Sequence, residues 1–502
     1  VVDRAVRPGD VAVMRLSDGG FGACQVTGVD GRVTSAYALR WHSVDRPSLD
    51  ELRGVEPLML DHHAHHGRLA HLSIGSWHAV PPGFAWIGNL PVPEGVPALS
   101  NTYSGWQSLA DDVVRQRRWD RELPAAAKAA YRAAATRGEV DVDFGAGTAT
   151  LGAATPRLLD LSGAGSMPVP TSGPVRWSAL DQLPRCTALT WAGPDRGLAR
   201  ALADHPIVSS LTWRDAPPVV DLTDTGLQHL SLSGADVREV RLPRGLHGLE
   251  LAAADPGLAV YAADGGRWLH LILTGADAET TVPAGLHGVR EVALDGGGTM
   301  FVNAVRELKK LESVRIHWRK PPGQLIDAAA LASLTRLAVI ELVDGYGLDA
   351  DTLPELTSLT QLSISGLRRS IVPDFKARYR GTGVRLVIEG AKPDTWLAAN
   401  LNTRSGTGST TTPEVEPPPA RHTPARSAPL TSFCRTVIGE PTKLNWLCAP
   451  WLRRSTRSTR STRSSTRCAE RKPSTRSWNS PPGLRSQRIW PTSGSTSGVT
   501  SN

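Results

Sequence analysis

Leu334-Thr335-Arg336-Leu337-Ala338-Val339-Ile340-Glu341-Leu342 places apolar side chains at its first, fourth, seventh and ninth positions, and that spacing decides the fold. The same line recurs at Leu286, Val289, Val292 and Leu294, at Leu308, Leu311, Val314 and Ile316, and at Leu356, Leu359, Leu362 and Ile364. Shorter versions end at Leu232, Leu251 and Leu273, and a closing strand is read at Val384, Leu386 and Ile388. The final positions 232, 251, 273, 294, 316, 342, 364 and 388 are spaced 19 to 26 residues apart. The last two apolar positions alternate as a short strand does, while the three-residue spacing before them suits a helix or turn. One such unit has no second face to bury. Stacked units form a parallel strand ladder backed by helices or turns, whose stability is a sum over neighbours.

This pattern, at a period of roughly 20–29 residues, resembles that of leucine-rich-repeat proteins. The usual Asn or Cys just after the strand is replaced by residues such as Ala235 and Gly345, so the side-chain ladder that closes the turns is missing. The expected fold is an α/β repeat, a degenerate leucine-rich-repeat solenoid over residues 140–395. Earlier strands are predicted at Leu159–Leu161, Leu189–Trp191 and Leu211–Trp213, the last two sharing Leu-Thr-Trp.

In a solenoid the outward strand positions line the concave face, where partners bind. Those positions are read as Thr190, Thr212, Ser231, Glu250, His270, Ala293, Arg315, Glu341 and Ser363, each flanked by two apolar strand residues. Solvated strand residues with no partner are the competing reading. Trp191, Trp213 and Trp318 next to this face are candidate interface anchors, with core packing as the alternative.

Residues 1–104 follow another grammar. Arg7-Pro8-Gly9-Asp10 opens an apolar strand, and Ser17-Asp18-Gly19-Gly20 turns it into Phe21–Val26, which reads as a β-hairpin. Further turn signals predict a small β-rich, SH3-like barrel module. The opening resembles that of small bacterial immunity-type domains. Asp61-His62-His63-Ala64-His65-His66 is a candidate zinc or nickel site, since neutral imidazoles and a carboxylate are suitable ligands. Consecutive histidines diverge on any regular element, which argues for a loop instead. Residues 105–139 read as a helical linker or cap divided at Pro124, with Leu109, Val113 and Trp119 on its apolar face. Its arginines at 115, 117, 118 and 121 are neutralised by Asp111, Asp112, Asp120 and Glu122, so a solvated face is expected.

The chain carries 56 Lys and Arg against 48 Asp and Glu, but residues 403–502 hold 16 of the basic and 4 of the acidic side chains. Residues 1–402 therefore carry 40 against 44, and the basic excess belongs to the last hundred residues. Residues 396–502 read as a disordered, Ser/Thr/Pro/Arg-rich tail. Its repeated Arg-Ser-Thr in GC-rich codons becomes repeated Leu-Asp-Ala in the third-base frame, and three further tail segments become acidic and amphipathic in that frame. A single-base deletion near Asn402 that replaced an acidic helical domain is the expectation drawn from this. If the tail is genuine, it is a polycation that binds nucleic acid non-specifically and with strong salt dependence. No apolar run is long enough to span a membrane and no signal-peptide pattern opens the chain, which predicts a cytoplasmic protein without a membrane partner. The five scattered cysteines give no disulfide framework.

The Pro-Gly-Asp hairpin, the Leu-Thr-Trp repeats, Asp349–Leu356 and Asp394–Leu401 together resemble a group of actinobacterial leucine-rich-repeat proteins commonly labelled "gliding motility protein". No phosphate loop, nucleophile elbow, His-Glu-x-x-His or dinucleotide fingerprint is present. The expectation is a non-enzymatic intracellular scaffold that binds a protein partner through the concave face and carries no cofactor. Two alternatives remain: a toxin-immunity or regulatory protein acting through the N-terminal module, and a metal-dependent enzyme using Asp61–His66.

Overall fold

The computed structural model describes residues 6–401 apart from Ala64, Trp77, Ala79, Pro156, Ser166 and 253–256. The expectations for the basic tail beyond residue 401, its frame included, lie outside the described residues.

Alternating apolar residues around the Ser17–Gly20 turn pair β1 (Asp10–Arg15) with β2 (Phe21–Asp30), and Gly31 turns β2 into β3 (Val33–Ala38). A separate pair, β4 (Met59–Leu60) and β5 (Arg68–Leu69), precedes β6 (His71–Gly75) and β7 (Ala85–Asn89). The main sheet is antiparallel with order β6-β3-β2-β1-β7. Among the described residues no strand pairing closes it, so the SH3-like barrel expectation is not confirmed. Its two outer strands do not pair with each other: β7 joins β1 through a bulge at Val11/Ala12, and β6 bonds to the chain at Thr102 and Ser104 through Ser73. Both faces are covered. Ala12, Met14, Cys24 and Val26 face one core, and Val11, Ala23, Tyr37 and Leu39 the other.

Two helices follow, α1 (Gln107–Arg121) and α2 (Ala125–Ala133), with Pro124 between them. Pro124 lacks an N–H, so it suits the start of α2 and not the interior of a longer helix. Trp106, Leu109, Ala110, Val113 and Val114 of the α1 region close the first core of the module. Trp119 points elsewhere, into a cluster with Leu123, Tyr131 and Ile207.

A hairpin of β8 (Glu139–Asp143) and β9 (Thr148–Gly152) leads into the repeats, and its Val142 and Phe144 cover the first end of their core. Eleven parallel strands then form one sheet: β10 (Arg157–Leu161), β11 (Cys186–Ala192), β12 (Ser210–Arg214), β14 (His229–Ser233), β16 (Gly248–Ala252), β18 (His270–Ala276), β19 (Glu291–Gly296), β21 (Ser313–Trp318), β23 (Val339–Val343), β24 (Gln361–Ser365) and β25 (Arg385–Glu389). The backing includes α3 (Leu198–Asp204), α4 (Val372–Arg378) and short 3-10 segments such as Val302–Val305 and Ala328–Ser333. Between the large-sheet strands, β13 (Val219–Asp221), β15 (Glu239–Arg241) and β17 (Ala259–Tyr261) form a second small parallel sheet, and β20 (Thr299–Phe301) pairs with β22 (Gln324–Ile326). A short helix α5 (Trp396–Leu401) begins the segment for which disorder was expected.

Register explains the sequence pattern. One inward row runs Leu211, Leu230, Leu249, Leu271, Val292, Val314, Ile340 and Leu362; the other runs Trp213, Leu232, Leu251, Leu273, Leu294, Ile316, Leu342 and Ile364. None of these side chains is more than 2% exposed, and full burial of each contributes about 1.5–3 kcal/mol. Backbone bonds replace the absent Asn ladder after the strands: Gly193 N–H to the Arg214 carbonyl at 2.9 Å, Ala216 N–H to Ser233 at 3.1 Å, and Gly345 N–H to Ser365 at 3.1 Å. The two small sheets supply further such bonds between turns. No helix among the described residues is long and apolar enough to cross a membrane.

Candidate partner-binding face

Between the two inward rows, period-two alternation turns one residue per strand outward. Strand register places Thr190, Thr212, Ser231, Glu250, Ile272, Ala293, Arg315, Glu341 and Ser363 side by side in a single line. All of the expected outward residues except His270 share this line. His270 pairs with Gly248 and Glu291, one outward row nearer the strand starts, and Ile272 holds the place expected for it. The cause is a shift in the repeat: Leu271 and Leu273 are the inward pair, so Leu269 belongs to the preceding turn.

The tryptophans take the core-packing alternative. Trp191, Trp213 and Trp318 are 2%, 1% and 1% exposed. Trp191 and Trp213 stand on the inward side with Leu189 and Leu211, two residues along each strand. Each indole N–H is satisfied within the chain, donating to the carbonyls of Pro194 (2.9 Å), Gly193 (2.8 Å) and Gln324 (2.9 Å) respectively.

Charge on the face is paired across strands. Arg315 Nη1 lies 3.3 Å from Glu341 Oε1, and Asp295 accepts from Arg319 Nε at 2.5 Å and faces His317 Nδ1 at 3.3 Å. The paired groups hold Asp295 below the usual carboxylate range against the upward push of its burial. These ladders orient the side chains without giving the row a single sign.

The strand-start edge of the face is occupied by the chain itself. Arg118 of α1 donates through Nη2 to the carbonyls of Pro206 (2.9 Å) and Gly226 (2.6 Å). Further along, Gly19 of the β1–β2 turn, at φ +90°, lies against Trp268, where a Cβ would stand 3.2 Å from the indole. Arg15 then meets Glu312 at 3.1 Å, and Arg385 Nη2 donates to the Ser76 carbonyl at 2.6 Å. The module and α1 thus reach from the turn before β14 to β25. Burial and the nearby Arg115 push His229 down to about 4, and burial with His229, Arg115 and Arg118 holds His247 well below the ordinary range.

Sequence reasoning read the α1 arginines as a solvated face, and the structure corrects this for Arg117 and Arg118, while Arg121 is exposed and Arg115 pairs within its own helix. Arg115 lies 3.7 Å from Asp112, Arg117 lies 2.7 Å from Asp18, and Arg118 is spent on solenoid carbonyls. Charge neutrality in the helix was visible in the sequence. The docking was not, because its acceptors are backbone groups and its apolar element is a glycine. The focal acid was also missed: Glu312, 8% exposed, gathers Arg15, Arg290 at 3.3 Å and Arg336 at 3.5 Å.

The histidine cluster is built into packing. Gln116 Oε1 accepts from the Asp61 and His62 N–H groups at 3.0 and 3.2 Å, while the Asp61 carboxylate accepts from Gln116 and, at 3.1 Å, from Arg132. That carboxylate is therefore turned to the helices and away from the imidazoles. His62 Nδ1 and His63 Nδ1 share a hydrogen bond at 2.9 Å, His65 stands edge-on to His62, and His63 packs near Trp119 and Tyr131. His66 is exposed. Among the described residues no three His, Cys, Asp or Glu side chains are arranged to hold a metal, so the ligand set Asp61, His62, His63, His65 and His66 is not brought together. Burial first, then neighbouring positive groups, pushes His62, His63 and His65 down to about 2, 3 and 4, keeping the rings neutral.

With this geometry in hand, comparisons with known proteins add little. No family model matches the chain, and no curated protein matches it. Among solved structures, an internalin from Listeria monocytogenes aligns over 46% of this chain and 77% of its own at 14% identity and a TM-score of 0.23. The repeat architecture stands on the strand register described above, and the comparisons give no support to a resemblance to actinobacterial repeat proteins.

Proposed function

We propose that the chain is a non-enzymatic repeat scaffold that holds a protein partner on the outward rows of its eleven-stranded sheet. The observation that carries this reading is the unbroken lateral line from Thr190 to Ser363, polar or small at every position except Ile272 and buried at Thr190 and Ala293, which parallel pairing fixes in register. Such a line is a rigid surface, and rigidity lowers the ordering cost of association. The module covers the strand-start edge, so the partner is assigned to the central row and to the row after it, where Arg214, Ser233, Asp295 and His317 stand.

A photo-crosslinking residue placed at Ser231 or Glu341 of the full chain, inside the source cells, tests the assignment. Adducts of one defined mass are expected at both positions. None is expected from Tyr261 or Val219, which are exposed on the small sheet away from the outward rows. Equal adducts from all four positions would remove the face from consideration.

A further inference from the structure

We infer that the last strand of the large sheet, β25, accepts an acidic, extended polypeptide segment as a twelfth strand. β25 pairs with β24 on one side, and among the described residues no strand pairs with its other side. Its core-row residues show the open end: Leu386 and Ile388 are only partly buried, whereas their row neighbours Leu362 and Ile364 are 0% and 1% exposed.

Backbone phase says which groups are available. Arg385 N–H donates to Thr360 and Gly366 N–H donates to Glu389, so residues 385, 387 and 389 bond toward β24. In a parallel ladder the alternate residues face the other way, which aims the N–H and C=O groups of Leu386 and Ile388 at the open edge. A cleft of about 600 Å³ runs there, and it is lined by every residue from Arg385 to Glu389. Inward-facing Leu386 and outward-facing Val387 line one cleft only if that cleft follows the strand's edge.

The cleft also specifies charge. Arg32 from the β2–β3 turn, Lys376 and Arg380 from the α4 region, and Arg385 surround it, against Glu389 alone. All four cations are exposed, and no carboxylate of the described residues pairs with Arg32, Lys376 or Arg380. A second copy of β25 would bring the same cations against one another. The chain's own residues 403–502 are basic overall, with 16 basic and 4 acidic side chains, and their one alternating acidic run, Glu414-Val415-Glu416, is bounded by Pro413 and Pro417, which cannot donate to a ladder. A strand of four to six residues with alternate Asp or Glu satisfies both demands: backbone pairing gives affinity and side-chain charge gives selectivity.

The test uses the full chain and a fluorescein-labelled heptapeptide of alternating valine and aspartate, followed by anisotropy. Its controls are the same peptide with N-methylated valines, which keeps the charge and removes backbone donors, and a ten-nucleotide oligothymidylate competitor. Saturable binding is expected, at least about ten-fold tighter than for the N-methylated peptide and weakened about ten-fold by Lys376→Glu with Arg380→Glu. Both substituted side chains are exposed, so an unchanged melting temperature is the folding control. Equal binding of the two peptides would overturn the inference, because charge alone would then explain the signal. So would an unaffected double variant, displacement by the oligonucleotide as readily as by unlabelled peptide, or no saturable binding up to millimolar peptide.

Discussion

Arg15 Nη1 lies 3.1 Å from Glu312 Oε2, although 297 residues separate them in the chain. This pair joins the N-terminal module to the middle of the solenoid, and it meets at a carboxylate already shared with Arg290 and Arg336. The two partners are therefore unequal.

Arg15, whose side chain is 28% exposed, can be removed with a loss of about 1 kcal/mol, whereas Glu312→Ala strands Arg290 at 8% exposure and costs about 3 kcal/mol. Urea unfolding of Arg15→Ala and Glu312→Ala measures both. Equal losses would mean that Glu312 is not the common acceptor.

The inward rows set a gradient of sensitivity. Ile340→Ala, fully buried with a strand on either side, is expected to cost about 2–5 kcal/mol, while Leu386→Ala at the open end loses less than about 2 kcal/mol. Denaturation midpoints of the two variants decide it. A larger loss at Leu386 would contradict the half-open end of the core.

Acid acts through the buried imidazoles. Burial, with the neighbouring imidazoles, pushes the His62 ring down to about 2 in the folded chain, against 6.5 for an unfolded histidine. Below pH 6.5 the unfolded chain therefore binds more protons, and this neutral ring's contribution, complete above 6.5, falls by about 1.4 kcal/mol per pH unit toward the folded value. Urea midpoints measured from pH 7 to pH 5 are expected to decline, with a shallower slope in His62→Gln. Identical slopes would place the acid sensitivity elsewhere.

The thiols Cys24 and Cys186 are buried, and desolvation pushes each up to about 12. Neither is expected to react with iodoacetamide at pH 8 until the chain unfolds, since the thiolate is the reactive species. Peptide mass mapping after a short labelling pulse reports on both. Alkylation of Cys24 in the native protein would show that the β1–β2 sheet opens readily.

Legibility followed the kind of interaction. The inward rows could be read because every strand repeats the same two apolar positions, and a burial rule that depends on period alone needs no knowledge of partners. His270 was misplaced because Leu269 mimics a strand residue, and only lateral pairing with Gly248 distinguishes it. The tryptophans stayed open between two readings because an indole serves either an interface or a core, and the deciding factor is whether a carbonyl such as that of Gly193 lies within reach. The docked edge was invisible for a stronger reason. Arg118 bonds to backbone oxygens and Gly19 contributes the lack of a side chain, and neither leaves a mark in composition.

The reach of the N-terminal module along the sheet has a consequence for length. A repeat array on its own has no preferred number of units, since adding or losing one changes only a neighbour term. Here Arg118 is tied to the turn before β14 and Ser76 to β25, so deleting one intervening repeat would draw these anchor points about 4.8 Å closer, one strand spacing. The module cannot shrink to follow. It acts as a gauge laid against the array.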